Sequence, residues 1–426
     1  MSEAILSANF GKPDSHKLTA YVASGGYKAL RKALAMAPEQ VVEEVKKSGL
    51  RGRGGAGFPA GMKWSFIPKT EKPKYLCVNA DESEPGTFKD RYIMDLDPHK
   101  LIEGIIITCW AIRSHDCYIY IRGEYESTRK NLQAAIDEAY AAGFLGDDVA
   151  GSGFKLHVTV HKGAGAYICG EETGLLESLE GKRGYPRIKP PFPAVVGLFG
   201  CPTIINNVET IASVPWILEH GGEAYAQIGV GKSTGTKLWC VSGHVKRPGL
   251  YELPLGVPFT TLLDEHCGGM RDPARPLKAV IPGGSSVPVL TASEAMAAKL
   301  DYESLAAQGT MLGSAGCIVI EEGTCMVWAL AVLARFYADE SCGQCTPCRE
   351  GTAWVHDILW RVERGGATPR DIELIQNLTD NMMGRTICVL ADALVMPVKS
   401  FLQKFKHEFD AHFEHGRCPQ DEPVHA

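Results

Sequence analysis

Three cysteines, Cys342, Cys345 and Cys348, stand at every third position of ESCGQCTPCREG, residues 340–351. Thiolates at this spacing converge on one centre from a tight loop. Iron–sulfur clusters use such runs and need a fourth ligand. Zinc also takes C-x-x-C, though usually as two separated pairs. Downstream, the remaining cysteines are Cys388, in GRTICVLAD, and Cys418, in HGRCPQD. Cys388 follows a Gly-Arg-Thr turn between two helical segments, whereas Cys418 lies in a polar tail. Cys388 is therefore the better fourth ligand, and a [4Fe-4S] cluster is a better fit than zinc. The tail segment HEFDAH, 407–412, nearly spells the zinc-protease pattern H-E-x-x-H. It is one residue too long for its histidines to share a helix face, and both are expected to be solvated.

A second group of residues suits a nucleotide. In LRGRGGAGFPAGMKWSF, residues 50–66, Gly52, Gly54 and Gly57 match G-x-G-x-x-G. A dinucleotide fingerprint must follow a strand. Here PEQVVEEVKKSGL precedes it and is plainly helical, with Val41, Val42 and Val45 on one side. The context is wrong for that fingerprint, but clustered glycines still let backbone N–H groups approach a flat or anionic ligand. Lys63 adds a positive charge nearby, and Phe58 and Phe66 offer faces for stacking. In YLCVNADESEPGTFKDR, 75–91, a strand leads into Asp81, Glu82 and Glu84, carboxylates able to accept from ribose hydroxyls or a carboxamide. After the strand HVTV comes the glycine turn KGAGAY and a helix opening with Glu171 and Glu172. These glutamates either complement the helix dipole or accept a ribose 2′-OH, which favours NAD over NADP. In TIINNVETIA, Asn206 and Asn207 start a helix, as caps or as partners for a flavin ring edge.

These sites need several elements to position them. The chain has 426 residues, enough for two or three domains. Lys plus Arg number 44 against 50 Asp plus Glu, a net charge of -6, which argues against a nucleic-acid binder. The N-terminus lacks a basic-then-apolar signal pattern, and the apolar runs at 105–112 and 325–334 are too short to cross a bilayer. A cytoplasmic location follows as the expectation, with the 14 cysteines reduced. Cys77, Cys109, Cys240 and Cys317, scattered in apolar surroundings, are expected as buried hydrophobes. LWCVSGHVKRPGLYELPLG predicts a β-hairpin around Lys246–Gly249. Helices are expected at 325–340 and 352–363, at Thr368 onward with Thr368 as N-cap, and over about 391–413 with Pro397 as a kink or late start.

The motifs GRGGAGFPAGMKWSF, NADESEPGTFKDR, GAGAYICGEETGLLESLEGKRGYPR, NNVET and SCGQCTPCR, in this order, strongly resemble the NADH-binding, FMN- and iron–sulfur-containing flavoprotein subunit of respiratory complex I. The resemblance spans about residues 20–400 with no departure in the motifs. It implies an α/β multidomain fold: a Rossmann-like FMN- and NADH-binding domain over 1–236, a β-grasp domain over 237–324 and a four-helix [4Fe-4S] domain over 325–426. It implies that Gly52, Gly54, Gly55 and Lys63 hold the FMN phosphate or ribityl chain. Asn79, Asp81 and Glu82 would lie along the flavin, and Gly170, Glu171, Asn206 and Asn207 would complete the pocket. Phe58, Phe66 and Phe192 would stack on NADH, Glu84 would meet its nicotinamide end and Glu172 its adenosine ribose. Tyr167 would face the flavin, so Glu82, Glu84 and Tyr167 are the residues nearest the chemistry. Cys342, Cys345, Cys348 and Cys388 match the cluster ligands. The implied activity is NADH:quinone oxidoreduction, with a thioredoxin-like [2Fe-2S] subunit and a large iron–sulfur subunit as partners, at the cytoplasmic face of the bacterial inner membrane. The nearest alternative is the diaphorase part of an NAD-reducing hydrogenase or NAD-dependent formate dehydrogenase.

Overall fold

The computed structural model describes residues 4–420. Four strands form a parallel sheet: β1 Tyr75–Ala80, β2 Asp116–Ile121, β3 His157–Lys162 and β4 Thr203–Asn207, in the order β3-β2-β1-β4. Parallel strands need long crossovers, which helices supply and which bury the sheet on both faces. Helix α1, Pro38–Lys47, buries Val41, Val42 and Val45 as their spacing predicts. Helices α2, Lys89–Leu96, and α3, Pro98–Ile112, follow β1. The 105–112 apolar run lies in α3, whose residues are nearly all buried, so it is a core helix. Helix α4, Glu126–Ala141, connects β2 to β3. Helix α5, Glu172–Leu179, and the short α6, Val208–Ala212, start beside the carboxyl ends of β3 and β4.

A second, five-stranded sheet follows: β5 Thr236–Gly243, β6 Gly249–Pro254, β7 Leu277–Ile281, β8 Leu290–Thr291 and β9 Gly316–Glu321. Its order is β8-β7-β9-β5-β6. The predicted hairpin is β5–β6, paired from Thr236 with Pro254 to Val241 with Gly249, and β9 runs parallel to β5. The start of the chain straps these two layers together. The backbone N–H groups of Ile5, Leu6 and Ser7 donate to the Glu252 carboxylate on β6 at 2.7–3.1 Å.

The rest is helical: α7 Met326–Glu340, α8 Thr346–Glu363, α9 Pro369–Met382, α10 Leu390–Lys404 and α11 Lys406–His415. The α9 start has the expected capping box, with Thr368 and Asp371 bonded reciprocally. Two expectations need correction. Helix α8 begins at Thr346, not 352, so Cys348 rides on its first turn. The last segment is two helices rather than one, and the break falls at Phe405 (φ -119°, ψ 25°) while Pro397 stays inside α10. The turn at Phe405 keeps Phe405, Phe409 and His412 facing inward, each under 5 % exposed. Among the described residues the unit therefore has five helices rather than four, and no helix is long and apolar enough to cross a membrane.

Candidate flavin and iron–sulfur site

The strand order reverses beside β1: the chain moves from β1 out to β2 and β3, then returns to the other side as β4. In open α/β sheets ligands bind outside the carboxyl ends of the strands at such a switch point. Asn79 and Asn207 pair in register there, at the ends of β1 and β4. Asn79 Nδ2 donates to the Gly170 carbonyl at 2.8 Å and its Oδ1 accepts from Asp81 N. Asn206 Oδ1 accepts from Trp64 Nε1 at 2.8 Å. Asn207 caps α6 through Glu209 N and donates to Asp90 at 2.6 Å.

The glycine loop closes over this end. Gly52 N donates to Phe58 O at 2.8 Å, and Arg51 pairs with Pro59 across the neck. A Cβ on Gly54 would lie 3.0 Å from Asn207 Cβ, so the loop rests directly on β4. Gly55 adopts φ +138° and a Cβ there would meet nothing within 4 Å, leaving backbone open to a ligand. Arg53 turns the other way. Its N donates to Thr210 Oγ1 and its buried guanidinium reaches Thr234 O at 2.7 Å, which anchors the loop.

On one flank, Lys63 bonds Glu172 at 3.0 Å and the Ile205 carbonyl at 2.9 Å. Lys189 joins Glu171 at 2.8 Å and Glu172 at 2.9 Å. Burial opposes ionisation of Glu172, but the two lysines outweigh it and hold its carboxyl below the usual range. Glu171 caps α5, accepting from Thr173 N and Gly174 N. On the other flank, Tyr167 Oη donates to Glu84 at 2.7 Å, and Glu84 also accepts from Ser286 N at 2.8 Å. Both Glu84 oxygens are thus held by the protein. Phe58 and Phe66 stand 6.0 Å apart at the rim, and with Phe192 they are 45–59 % exposed, large apolar rings without cover.

Asp81 leaves one acceptor unmet in the pocket. Its Oδ1 accepts from Ser83 Oγ at 3.0 Å, but Oδ2 is buried with no partner. Burial pushes its carboxyl up to about 7. Such an orphaned acceptor beside an open glycine face suits a hydroxyl-bearing ligand such as the ribityl chain of FMN. Glu82 is engaged by the next helix. Its carboxylate accepts from Asp90 N at 2.7 Å and Arg91 N at 3.1 Å, capping the start of α2.

The sequence reading missed the charges beneath the site. Lys89, Asp90, Glu209 and Lys237 are all buried. Lys89 joins Asp90 at 2.7 Å and Glu209 at 2.9 Å, and Lys237 closes on Glu209. Burial alone would raise the Glu209 carboxyl, but Lys237, Lys89 and Arg53 bring it down to about 2. Lys89 and Asp90 stand in the quoted FKDR motif, yet nothing in the spacing of charged residues tells that an ammonium points inward.

The four predicted cysteines come from two turns. Cys342 and Cys345 lie between α7 and α8, Cys348 on the first turn of α8, and Cys388 between α9 and α10. Burial raises the Cys348 thiol to about 11. Burial raises the Cys388 thiol to about 12, with Cys348, Cys342 and Glu171 close enough for their charges to add to it. The flank of the sheet pocket therefore lies near the cysteine group. Tyr167 makes a second link, its N–H donating to Glu340 at 2.9 Å at the end of α7 and its ring packing on Phe336 at 5.1 Å. Cys418 lies elsewhere, beside Cys325. A surface cavity of about 530 Å³ near Lys74, at the amino end of β1, holds none of the predicted residues.

A switch-point nucleotide pocket near a four-cysteine group defines a flavin and iron–sulfur electron-transfer protein. Residues 45–216 match the Nuo51 FMN-binding domain, 237–315 the SLBB domain and 328–412 the NADH-ubiquinone oxidoreductase-F iron–sulfur binding region. The chain is 53 % identical over 421 residues to an F-type subunit of NADH-quinone oxidoreductase in Rhizobium meliloti, covering 98 % of this chain and 100 % of that one. It is 52 % identical to the F-type subunit of NADH-quinone oxidoreductase in Streptomyces coelicolor, covering 98 % and 92 %. Among solved structures, an NAD+-reducing [NiFe]-hydrogenase in the H2-reduced state superposes with a TM-score of 0.83 at 34 % identity, over 95 % of this chain and 68 % of that one. The chain belongs to the family of F-type subunits of NADH-quinone oxidoreductase.

Proposed function

We propose that the chain is the NADH-oxidising module of an NADH-quinone oxidoreductase, taking electrons from NADH at the switch-point pocket and passing them on through Cys342, Cys345, Cys348 and Cys388. The observation that carries this is the link between the two halves of the site, with Tyr167 bonded through its N–H to Glu340 and packed on Phe336 at the end of α7, next to Cys342. When bound, FMN supplies a two-electron hydride acceptor and a [4Fe-4S] cluster a one-electron acceptor.

The residues do the rest. Gly54 and Gly55 present backbone to the flavin phosphate or ribityl chain, with Lys63 as its counter-charge, and Asp81 Oδ2 accepts a ribityl hydroxyl. Asn79, Asn206 and Asn207, each already fixed by at least one partner, set the ring edge. Phe58, Phe66 and Phe192 give the dinucleotide apolar faces to lie against, and Glu172, held ionised, accepts from its ribose. Glu84 is fixed by Tyr167 and Ser286, so its position toward the nicotinamide is set before substrate arrives. The middle unit is of β-grasp type, a reading supported by its hairpin and the parallel β5–β9 pairing. Partners are a small [2Fe-2S] subunit and a large iron–sulfur subunit, and membrane contact is through them. The hydrogenase likeness leaves a diaphorase role as the second reading.

The test is a visible spectrum of anaerobically purified protein before and after NADH. A flavin band over a broad iron–sulfur background, bleached by NADH, is the expected result. Protein that stays colourless or ignores NADH after reconstitution with FMN, iron and sulfide would overturn the proposal.

A further inference from the structure

The histidine expected to be solvated in HEFDAH divides from its partner: His407 is exposed, but His412 is 1 % exposed. It joins a second ligand group. Cys325, Glu363, His412 and Cys418 each offer one ligand atom, and these lie within 4.8 Å of one another. Cys325 Sγ is 3.6 Å from His412 Nε2 and 3.4 Å from Glu363 Oε2, and the last two atoms are 3.1 Å apart. The four residues come from separate places: the N-cap of α7, the last residue of α8, the inner face of α11, and the segment after it.

An ion pair between Glu363 and His412 accounts for one of these contacts. It does not account for two sulfurs aimed at the same point. The surroundings also orient the group as a ligand set. His412 Nδ1 lies 2.7 Å from the Glu408 carbonyl, to which it donates, so the lone pair is on Nε2, toward the other three atoms. Glu408 is in turn held by Met326 N at 2.9 Å and Lys278 at 2.7 Å. Cys325 Sγ accepts the Trp328 N–H at 3.3 Å at the start of α7, which fixes the direction of the sulfur.

We propose that Cys325, Glu363, His412 and Cys418 bind one zinc ion, a site separate from the iron–sulfur ligands. Two sulfurs, one imidazole and one carboxylate suit tetrahedral Zn2+, and four protein ligands leave no position open for chemistry. The site is structural. It sits at the opposite end of α7 from Cys342, about 22 Å away along a 15-residue helix. It fastens the end of the chain to the base of the helix that leads to the cluster.

Zinc and iron measured by plasma mass spectrometry on purified full-length protein test this. About one zinc per chain is expected beside the cluster iron, and zinc-edge X-ray absorption should give about two sulfur ligands near 2.3 Å and two lighter ones near 2.0–2.1 Å. Cys418→Ser and His412→Gln should each lose zinc while keeping iron and flavin, whereas Cys388→Ser should lose iron and keep zinc. Should His412→Gln fail to fold, the half-buried Cys418 site gives the same reading. Wild-type protein without zinc, zinc undiminished in Cys418→Ser, or a Cys325–Cys418 disulfide by mass spectrometry would each overturn the assignment.

Discussion

Glu209 should be more costly to neutralise than its partner Lys237. The carboxylate has no exposure and faces Lys89 at 2.9 Å, Lys237 and the Leu238 N–H at 2.9 Å. At an effective dielectric of 20, a charge pair at 2.9 Å attracts by about 6 kcal/mol, against several kcal/mol to desolvate each ion. Glu209→Gln leaves two buried ammonium groups without it, and breaking such a network costs about 3–5 kcal/mol. Lys237→Met is different. Burial, with Lys89 and Arg53 repelling, outweighs the pull of Glu209 and brings Lys237 down to about 8, and without it Glu209 still has Lys89. Its loss removes one charge-assisted hydrogen bond and should cost less, about 1.5–3 kcal/mol. The assay is urea unfolding followed by tryptophan fluorescence, with the buried Trp239 on β5 as reporter. Midpoints are compared in the first transition, since a chain of several domains need not unfold in one step. Costs equal to within about 1 kcal/mol, or a larger cost for Lys237→Met, would refute the claim that one carboxylate balances the cluster. Because Lys89 also bonds Asn207 at 3.0 Å, Glu209→Gln should weaken FMN binding too.

Cys388→Ser should abolish the cluster, seen as loss of iron and of the broad visible absorption with FMN retained, and intact iron would shift the fourth ligand elsewhere. Gly54→Val should push the loop off Asn207, since even a Cβ would lie 3.0 Å away, and weaken FMN binding about tenfold or more in fluorescence titration. Asp81 supplies a pH dependence. Its folded carboxyl titrates at about 7 instead of 3.8, so the flavin-free protein holds an extra proton in that window and loses stability as pH climbs through it. Glu82, raised by burial to about 7, acts in the same direction. Asp81→Asn should therefore make the fall of the urea midpoint between about pH 4 and 7 less steep, and an unchanged slope would mean that Asp81 is ionised throughout.

Much of this was legible because local rules and tertiary structure agree. The spacing of Val41, Val42 and Val45 named a buried helix face, Thr368 with Pro369 and Asp371 named a helix start, and the cysteine triplet named its own chemistry. The Gly52–Gly57 loop shows how context decides: its pattern fits a dinucleotide fingerprint, but the helix before it sends it to the switch point from another direction. What stayed hidden depended on contacts distant in sequence. Glu209 bonds Lys237 28 positions away and Lys89 120 away, and no periodicity marks an inward-facing charge. His412 was misplaced for the same reason, because its partners Cys325 and Glu363 lie 87 and 49 positions back. Glu82 showed as a carboxylate after a strand, but its bonds to Asp90 N and Arg91 N at the start of α2 had no mark in the spacing.

The strap at the start of the chain has a consequence for synthesis. Ser7 is locked by Glu252, 245 residues later. A ribosome adding about 5–20 residues per second takes roughly 12–50 s to cover that interval. The parallel sheet is complete once β4 ends at Asn207, and until then and beyond it the segment has only the sheet domain's own grip, Lys100 Nζ on the Ile5 and Leu6 carbonyls at 2.9 and 3.0 Å. The opening segment of the nascent domain is therefore half fastened, its carbonyls held and its N–H groups free, until the hairpin of the next domain emerges and brings Glu252 to them.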